Sequence, residues 1–148
     1  MTYAGYSAYN RIATTIDSKE MILVKLLEGT VRFIQAARVG LEAGNPKAKG
    51  ENISRVIAII TELDCALDRD MGGSLVENLS NLYQYILTRL TLANLRNDNQ
   101  IMGEVEELLT TIKEGFEGAL KQISSHTVVS DHALLYQTES QRGFSIAA

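Results

Sequence analysis

The sequence predicts an all-α protein: an antiparallel up-down-up-down four-helix bundle with a short N-terminal arm or helix and a C-terminal tail. Four segments repeat apolar residues at helical spacing between polar, glycine or proline breaks. The 148 residues include one proline and no tryptophan, with 45% hydrophobic and 22% charged residues. That composition suits long uninterrupted helices better than a turn-rich β fold. The breaks are short, which makes successive helices antiparallel neighbours.

Residues 1–16 read as an arm carrying Tyr3, Tyr6 and Tyr9. Asp17-Ser18-Lys19-Glu20 has the form of a capping box, an acceptor side chain followed three residues later by Glu, so helix one is expected over about 18–43. Its inward stripe is Leu23, Leu26, Leu27, Thr30, Phe33, Ile34, Ala37 and Leu41, and Gly44-Asn45-Pro46 supplies the stop. Helix two, about 48–70, turns Ile53, Val56, Ile57, Ile60, Leu63 and Leu67 inward and closes at Gly72-Gly73.

Helix three, 74–96, has the core stripe Leu75, Leu79, Leu82, Ile86, Leu90 and Ala93. A second apolar line of Val76, Tyr83 and Leu87 runs beside it, and Tyr85 and Leu92 lie on the far flank. One core contact does not need so much apolar circumference, and surplus apolar surface marks a partner site. After the polar break Asn97-Asp98-Asn99, helix four over about 99–123 turns Met102, Val105, Leu108, Leu109, Ile112, Phe116, Ala119 and Ile123 inward. The bundle is thus expected over 17–123, followed by a tail at 124–148.

Several function classes are disfavoured. A net charge of −4 argues against a nucleic-acid backbone as partner. Cys65 is the only cysteine, which forbids an internal disulfide, and it reads as a small buried hydrophobe with no histidine near it in sequence. The opening MTYAGYSAYN has neither a basic region nor an apolar core, and Lys25 interrupts the densest apolar run, so a cytoplasmic protein without membrane insertion is expected. His126 and His132 are not spaced as ligands on one helix face, and Glu104, Glu107, Glu114 and Glu117 avoid the apolar stripe and read as a solvated face. No catalytic residue, metal or cofactor is expected. Gly29 has two readings, because a glycine inside a helix costs roughly 1 kcal/mol against alanine. Either another backbone approaches closely there, or the helix tolerates an imperfection.

Longer stretches of sequence carry a resemblance. GGSLVENLSNLYQYILTRLTLANLRND from Gly72 to Asp98, GEVEELL from Gly103 to Leu109, AYNRI from Ala8 to Ile12 and LLEGTVRFI ending at Ile34 stand in order. Together with the Glu62-Leu63 and Leu67-Asp68 pairs, they make roughly residues 3–120 resemble the FliS family of flagellar secretion chaperones. The resemblance implies a non-enzymatic helical bundle in the bacterial cytosol. Such a bundle would bind the disordered C-terminal region of flagellin, prevent premature filament assembly and deliver the subunit to a membrane protein of the flagellar export gate.

The apolar faces of helices two and three would carry flagellin, with Ile59, Leu63, Val76, Leu79, Tyr83, Ile86, Leu87 and Leu90 as the expected contacts. Tyr6 and Tyr9 look like arm residues that contact the export gate or cap the groove. Two alternatives compete: a histidine-containing phosphotransfer bundle, and a generic all-α interaction module. The first needs an exposed histidine on a bundle helix, whereas His126 and His132 lie beyond helix four. Whether the free form is a homodimer is left open by the sequence.

Overall fold

The computed structural model describes the backbone of residues 3–146 and the side chains of residues 19–125. Four helices follow one another, α1 Tyr3–Glu42, α2 Pro46–Cys65, α3 Ser74–Arg96 and α4 Asn99–Ile146, and no strand occurs among the described residues. The chain divides into two compact units, Met1–Lys113 and Glu114–Ala148. The first contains α1, α2, α3 and the start of α4; the second is the rest of α4.

Within the first unit the helices close into a ring. α1 packs on α2 and α2 on α3, while side chains of α4 fasten to α1 through Glu106 and to α3 through Glu104. Each neighbouring pair is antiparallel, giving the expected up-down-up-down order. The core is a continuous set of apolar side chains from all four helices: Leu27 and Ile34, Ile53 and Ile60, Ile86 and Leu90, Met102 and Leu109 are fully buried. Each such side chain contributes about 1.5–3 kcal/mol of transfer free energy, more than the net worth of about 1 kcal/mol of a typical hydrogen bond. Packing therefore holds the ring, and the polar links fix its register.

The turns explain where the helices stop. At the end of α1 the Asn45 N–H reaches the Gly40 carbonyl at 2.8 Å and the Gly44 N–H reaches Leu41 at 3.1 Å, with Gly44 at φ +67°. This is a Schellman closure, which needs a left-handed residue. Asn45 then caps α2 through the Ala48 N–H at 3.1 Å, and Pro46 occupies the first turn, where its missing N–H costs nothing. Asn97 takes the left-handed conformation after α3, and Asp98 caps α4 through the N–H groups of Gln100 and Ile101.

Some expected boundaries are corrected. The capping-box pattern at Asp17 does not begin a helix: α1 starts at Tyr3 and runs through it. No glycine or proline separates Tyr6 from Gly29, so continuing the helix satisfies the same N–H groups that a cap would. No break follows residue 123 either, and the Ser124 and Ser125 hydroxyls donate back to Leu120 and Gln122 within α4. α2 ends at Cys65, several residues early. Beyond it the Asp68 carboxylate accepts from the N–H groups of Asp70 and Met71 and pulls the chain into a turn.

The structure decides between the two readings of Gly29 and places the close approach at another glycine. A Cβ on Gly29 would meet only Phe33 at 4.0 Å, so Gly29 is a tolerated imperfection. A Cβ on Gly40 would stand 2.9 Å from the Lys49 amide nitrogen and 3.1 Å from the Ala48 Cβ, so this glycine lets α1 meet the start of α2. Cys65 is exposed rather than buried. On helix four the expected stripe is buried at Met102, Val105, Leu109 and Ile112, whereas Ala119 is exposed.

Candidate functional site

α3 is bound on three sides. Its inner face buries Tyr83, Ile86, Leu90 and Ala93. On the edge toward α2, Ser80 and Gln84 donate to the Asp64 carboxylate at 2.8 and 2.7 Å, and Arg69 folds back onto it at 3.2 Å. Burial pushes the Asp64 carboxyl up, but these hydrogen bonds and the Arg69 charge outweigh it and hold the group below its ordinary 3.8.

On the edge toward α4, Arg89 gives Glu104 two hydrogen bonds, at 3.0 and 2.7 Å, and the Tyr85 hydroxyl donates to the same carboxylate. These bonds lower the Glu104 pKa, and the same contact raises that of Tyr85. Glu104 is therefore a fastener between helices and not part of a solvated face. Glu106 does the same toward α1, accepting from Gln35 at 2.8 Å and Arg38 at 2.5 Å. The Arg38 guanidinium lies over Gly103, where a Cβ would stand 3.5 Å from it.

The fourth side of α3 faces outward and carries no charge along its C-terminal half. Leu87, Thr88, Thr91, Leu92 and Leu95 line a hollow of about 440 Å³. Leu95 is 80% exposed, while Leu87 and Leu92 are half-buried. The two threonines add less polarity than their names suggest. Thr88 donates to the Gln84 carbonyl at 3.0 Å and Thr91 to Leu87 at 2.9 Å, so both hydroxyl protons are used within the helix. The result is an apolar strip between the α2 and α4 edges.

The expected contacts divide into two groups. Ile59, Val76, Leu79 and Leu87 are half-buried and keep surface to offer. Leu63, Tyr83, Ile86 and Leu90 are buried in the core, Tyr83 with only 2% of its surface exposed. Burial raises the Tyr83 pKa, and the nearby Asp64 charge adds to the effect. Of the expected stripe, Ile86, Leu90 and Ala93 are buried, Leu79 and Leu82 are half-buried and Leu75 is 70% exposed, while Tyr83 from the second line joins the core. Tyr85 and Leu92 do stand outside the core, as their flank position implied. Leu95 went unnoticed because it sits alone between Asn94 and Arg96, opposite Ile86, where a leucine matches no stripe. The side chains of Tyr6, Tyr9, His126 and His132 lie outside the described residues.

Among the described residues no group of three or more potential metal-binding side chains occurs, and no helix is long and apolar enough to cross a membrane. An uncharged apolar relief such as the α3 strip has the character of a surface that a polypeptide can cover.

Comparison with known proteins identifies the family. The family model described as flagellar protein FliS matches residues 2–123. The chain is 41% identical to the flagellar secretion chaperone FliS of Salmonella typhimurium over 128 residues, 83% of this chain and 92% of that protein. It is 37% identical to the flagellar secretion chaperone FliSB of Pseudomonas aeruginosa, covering 72% of this chain and 85% of that protein. It is 32% identical to FliS of Escherichia coli, covering 78% and 89%. With a match across most of its length, the chain belongs to the FliS family of flagellar secretion chaperones, proteins that escort and do not catalyse.

Proposed function

We propose that this protein binds the C-terminal segment of flagellin in the bacterial cytosol, keeps it from assembling early and hands it to the flagellar export apparatus. The observation that carries the reading is the uncharged strip on the outside of α3, where Leu87, Leu92 and Leu95 stand beside two threonines with internally bonded hydroxyls. The half-buried Ile59 on α2 and Val76 and Leu79 earlier on α3 extend the apolar surface available. Family membership supports the secretory role.

A filament subunit segment that folds only on assembly must keep amphipathic surface covered until then. A helical strip can cover it, giving back in buried apolar area what the segment loses in ordering. At roughly 25 cal/mol per Å², about a thousand Å² of apolar contact offsets a substantial ordering cost and still leaves binding reversible. A chaperone must release its client, so this balance fits the task. Tyr9, in the family-like AYNRI stretch, and Tyr6, just before it, are proposed to serve the export-gate contact. Isothermal titration of the full chain against the flagellin C-terminal segment tests the proposal: saturable binding at micromolar concentration or tighter is expected, and its absence overturns the reading.

A further inference from the structure

We infer that the connection between α2 and α3 is a second docking surface, which takes a cationic amphipathic segment of a partner protein. Its tip is apolar and open to solvent: Met71 keeps 80% and Leu75 70% of their surface. Half-buried Val76 and Leu79, which the proposed function gives to the flagellin segment, border this tip without belonging to it. Methionine adapts its shape to what it meets, and an exposed one is common on surfaces that bind helices.

The loop presenting Met71, which leads into Leu75 on the first turn of α3, is firmly held. Asp68 accepts from the Asp70 and Met71 N–H groups at 3.2 and 3.3 Å, and Gly72 and Gly73 adopt φ of +61° and +98°. Arg69 is tied back to Asp64 and to Ser80, each at 3.2 Å. An apolar side chain carried on such a fastened loop loses little freedom when a partner covers it, so most of its buried area counts toward binding.

Charge selects the partner. Between residues 66 and 79 the charged side chains are Asp68, Arg69, Asp70 and Glu77, and the one cation is engaged by Asp64 and Ser80. The three carboxylates left are exposed. A second copy of the chain would bring the same acidic tip on a molecule of net charge −4, and an anionic bilayer is repelled in the same way. A polypeptide with Lys or Arg beside an apolar stripe satisfies both the methionine and the carboxylates. The surface is distinct from the hollow on α3, which begins roughly two turns beyond Leu79 and has no charge in its lining.

The test uses the full chain and a fluorescent helical peptide of about 18 residues with leucines on one face and lysines elsewhere, followed by anisotropy at about 150 mM salt. Saturable binding is expected, weakened about tenfold or more by Met71→Ser with Leu75→Ser. Asp70→Asn with Glu77→Gln should weaken binding and flatten its dependence on salt. Leu95→Ser, in the α3 hollow, should leave it unchanged, so this result reads separately from flagellin binding. The inference is overturned if the Met71 and Leu75 changes have no effect, if Leu95→Ser weakens binding as much as they do, or if the peptide with glutamates in place of lysines binds equally well. Binding of the chain to vesicles of phosphatidylglycerol and phosphatidylcholine, lost in the Met71 variant, would overturn it too.

Discussion

Ser80, on the second turn of α3, donates a 2.8 Å hydrogen bond to Asp64, on the last turn of α2. Gln84 and Arg69 complete the set around a carboxylate that is 7% exposed. Removing the carboxylate by Asp64→Ala strands three donors in a half-dry site. A loss of about 1–3 kcal/mol in unfolding free energy is expected, read as a lower midpoint in urea.

The same carboxylate gives a pH signature. Its folded-state pKa lies below the ordinary 3.8, so the stability it contributes is fully present above that value and is lost as pH falls through the lower folded-state value. Asp64→Asn should therefore be less stable than the parent at neutral pH, with the gap closing as the solution is acidified. Urea titrations at several pH values between about 6 and 2 check this.

Gly40 and Gly29 should respond in opposite directions. At Gly40 an added methyl meets the Lys49 nitrogen at 2.9 Å, and Gly40→Ala is expected to cost about 1–3 kcal/mol by forcing α1 and α2 apart. At Gly29 the methyl reaches only Phe33 at 4.0 Å, so Gly29→Ala should stabilise the protein by roughly 0.5–1 kcal/mol. Thermal melts of the two variants decide the matter, since equal shifts would mean that the contact at Gly40 is not limiting.

Leu87→Asp with Leu95→Asp should weaken binding of the flagellin segment by about tenfold or more while leaving helical circular dichroism and the melting temperature nearly unchanged. Tyr83→Asp should instead collapse the melt, because it puts a charge into a position with 2% exposure. Unchanged binding by the double variant would remove the α3 strip from the proposed site.

Tyr6→Ala with Tyr9→Ala should reduce flagellin secretion more than it reduces flagellin binding. Secretion assays beside titration measure the two separately, and equal loss in both would argue against a distinct export contact.

Much of the fold could be read from the sequence because helix periodicity and turn chemistry are local. The polar break at Asn97 to Asn99 and the turn at Gly72-Gly73 stand where expected, since left-handed backbone and Asp caps leave clear traces. Tyr83 was harder to place. Whether it joins the core depends on how α3 rotates between α2 and α4, and that rotation is set by contacts such as Arg89 with Glu104 and Ser80 with Asp64, which are distant in sequence. Gly40 shows a different limit. The Lys49 amide that makes it necessary stands just across the turn, in a contact set by the angle of the corner, whereas Gly29 draws notice only by standing mid-helix. The half-buried Ile59, Val76, Leu79 and Leu87 were legible as surplus apolar residues, but telling surplus from core required the packing.

The tight corner at Gly40 also bears on how the molecule is made. Because α1 meets the start of α2 across a connection of only a few residues, that hairpin can close at small entropic cost. The links from Glu106 to Gln35 and Arg38 span 71 and 68 residues and must wait for α4. During synthesis, the first two helices are therefore able to zip together while the ribosome is still translating the segment that seals the ring.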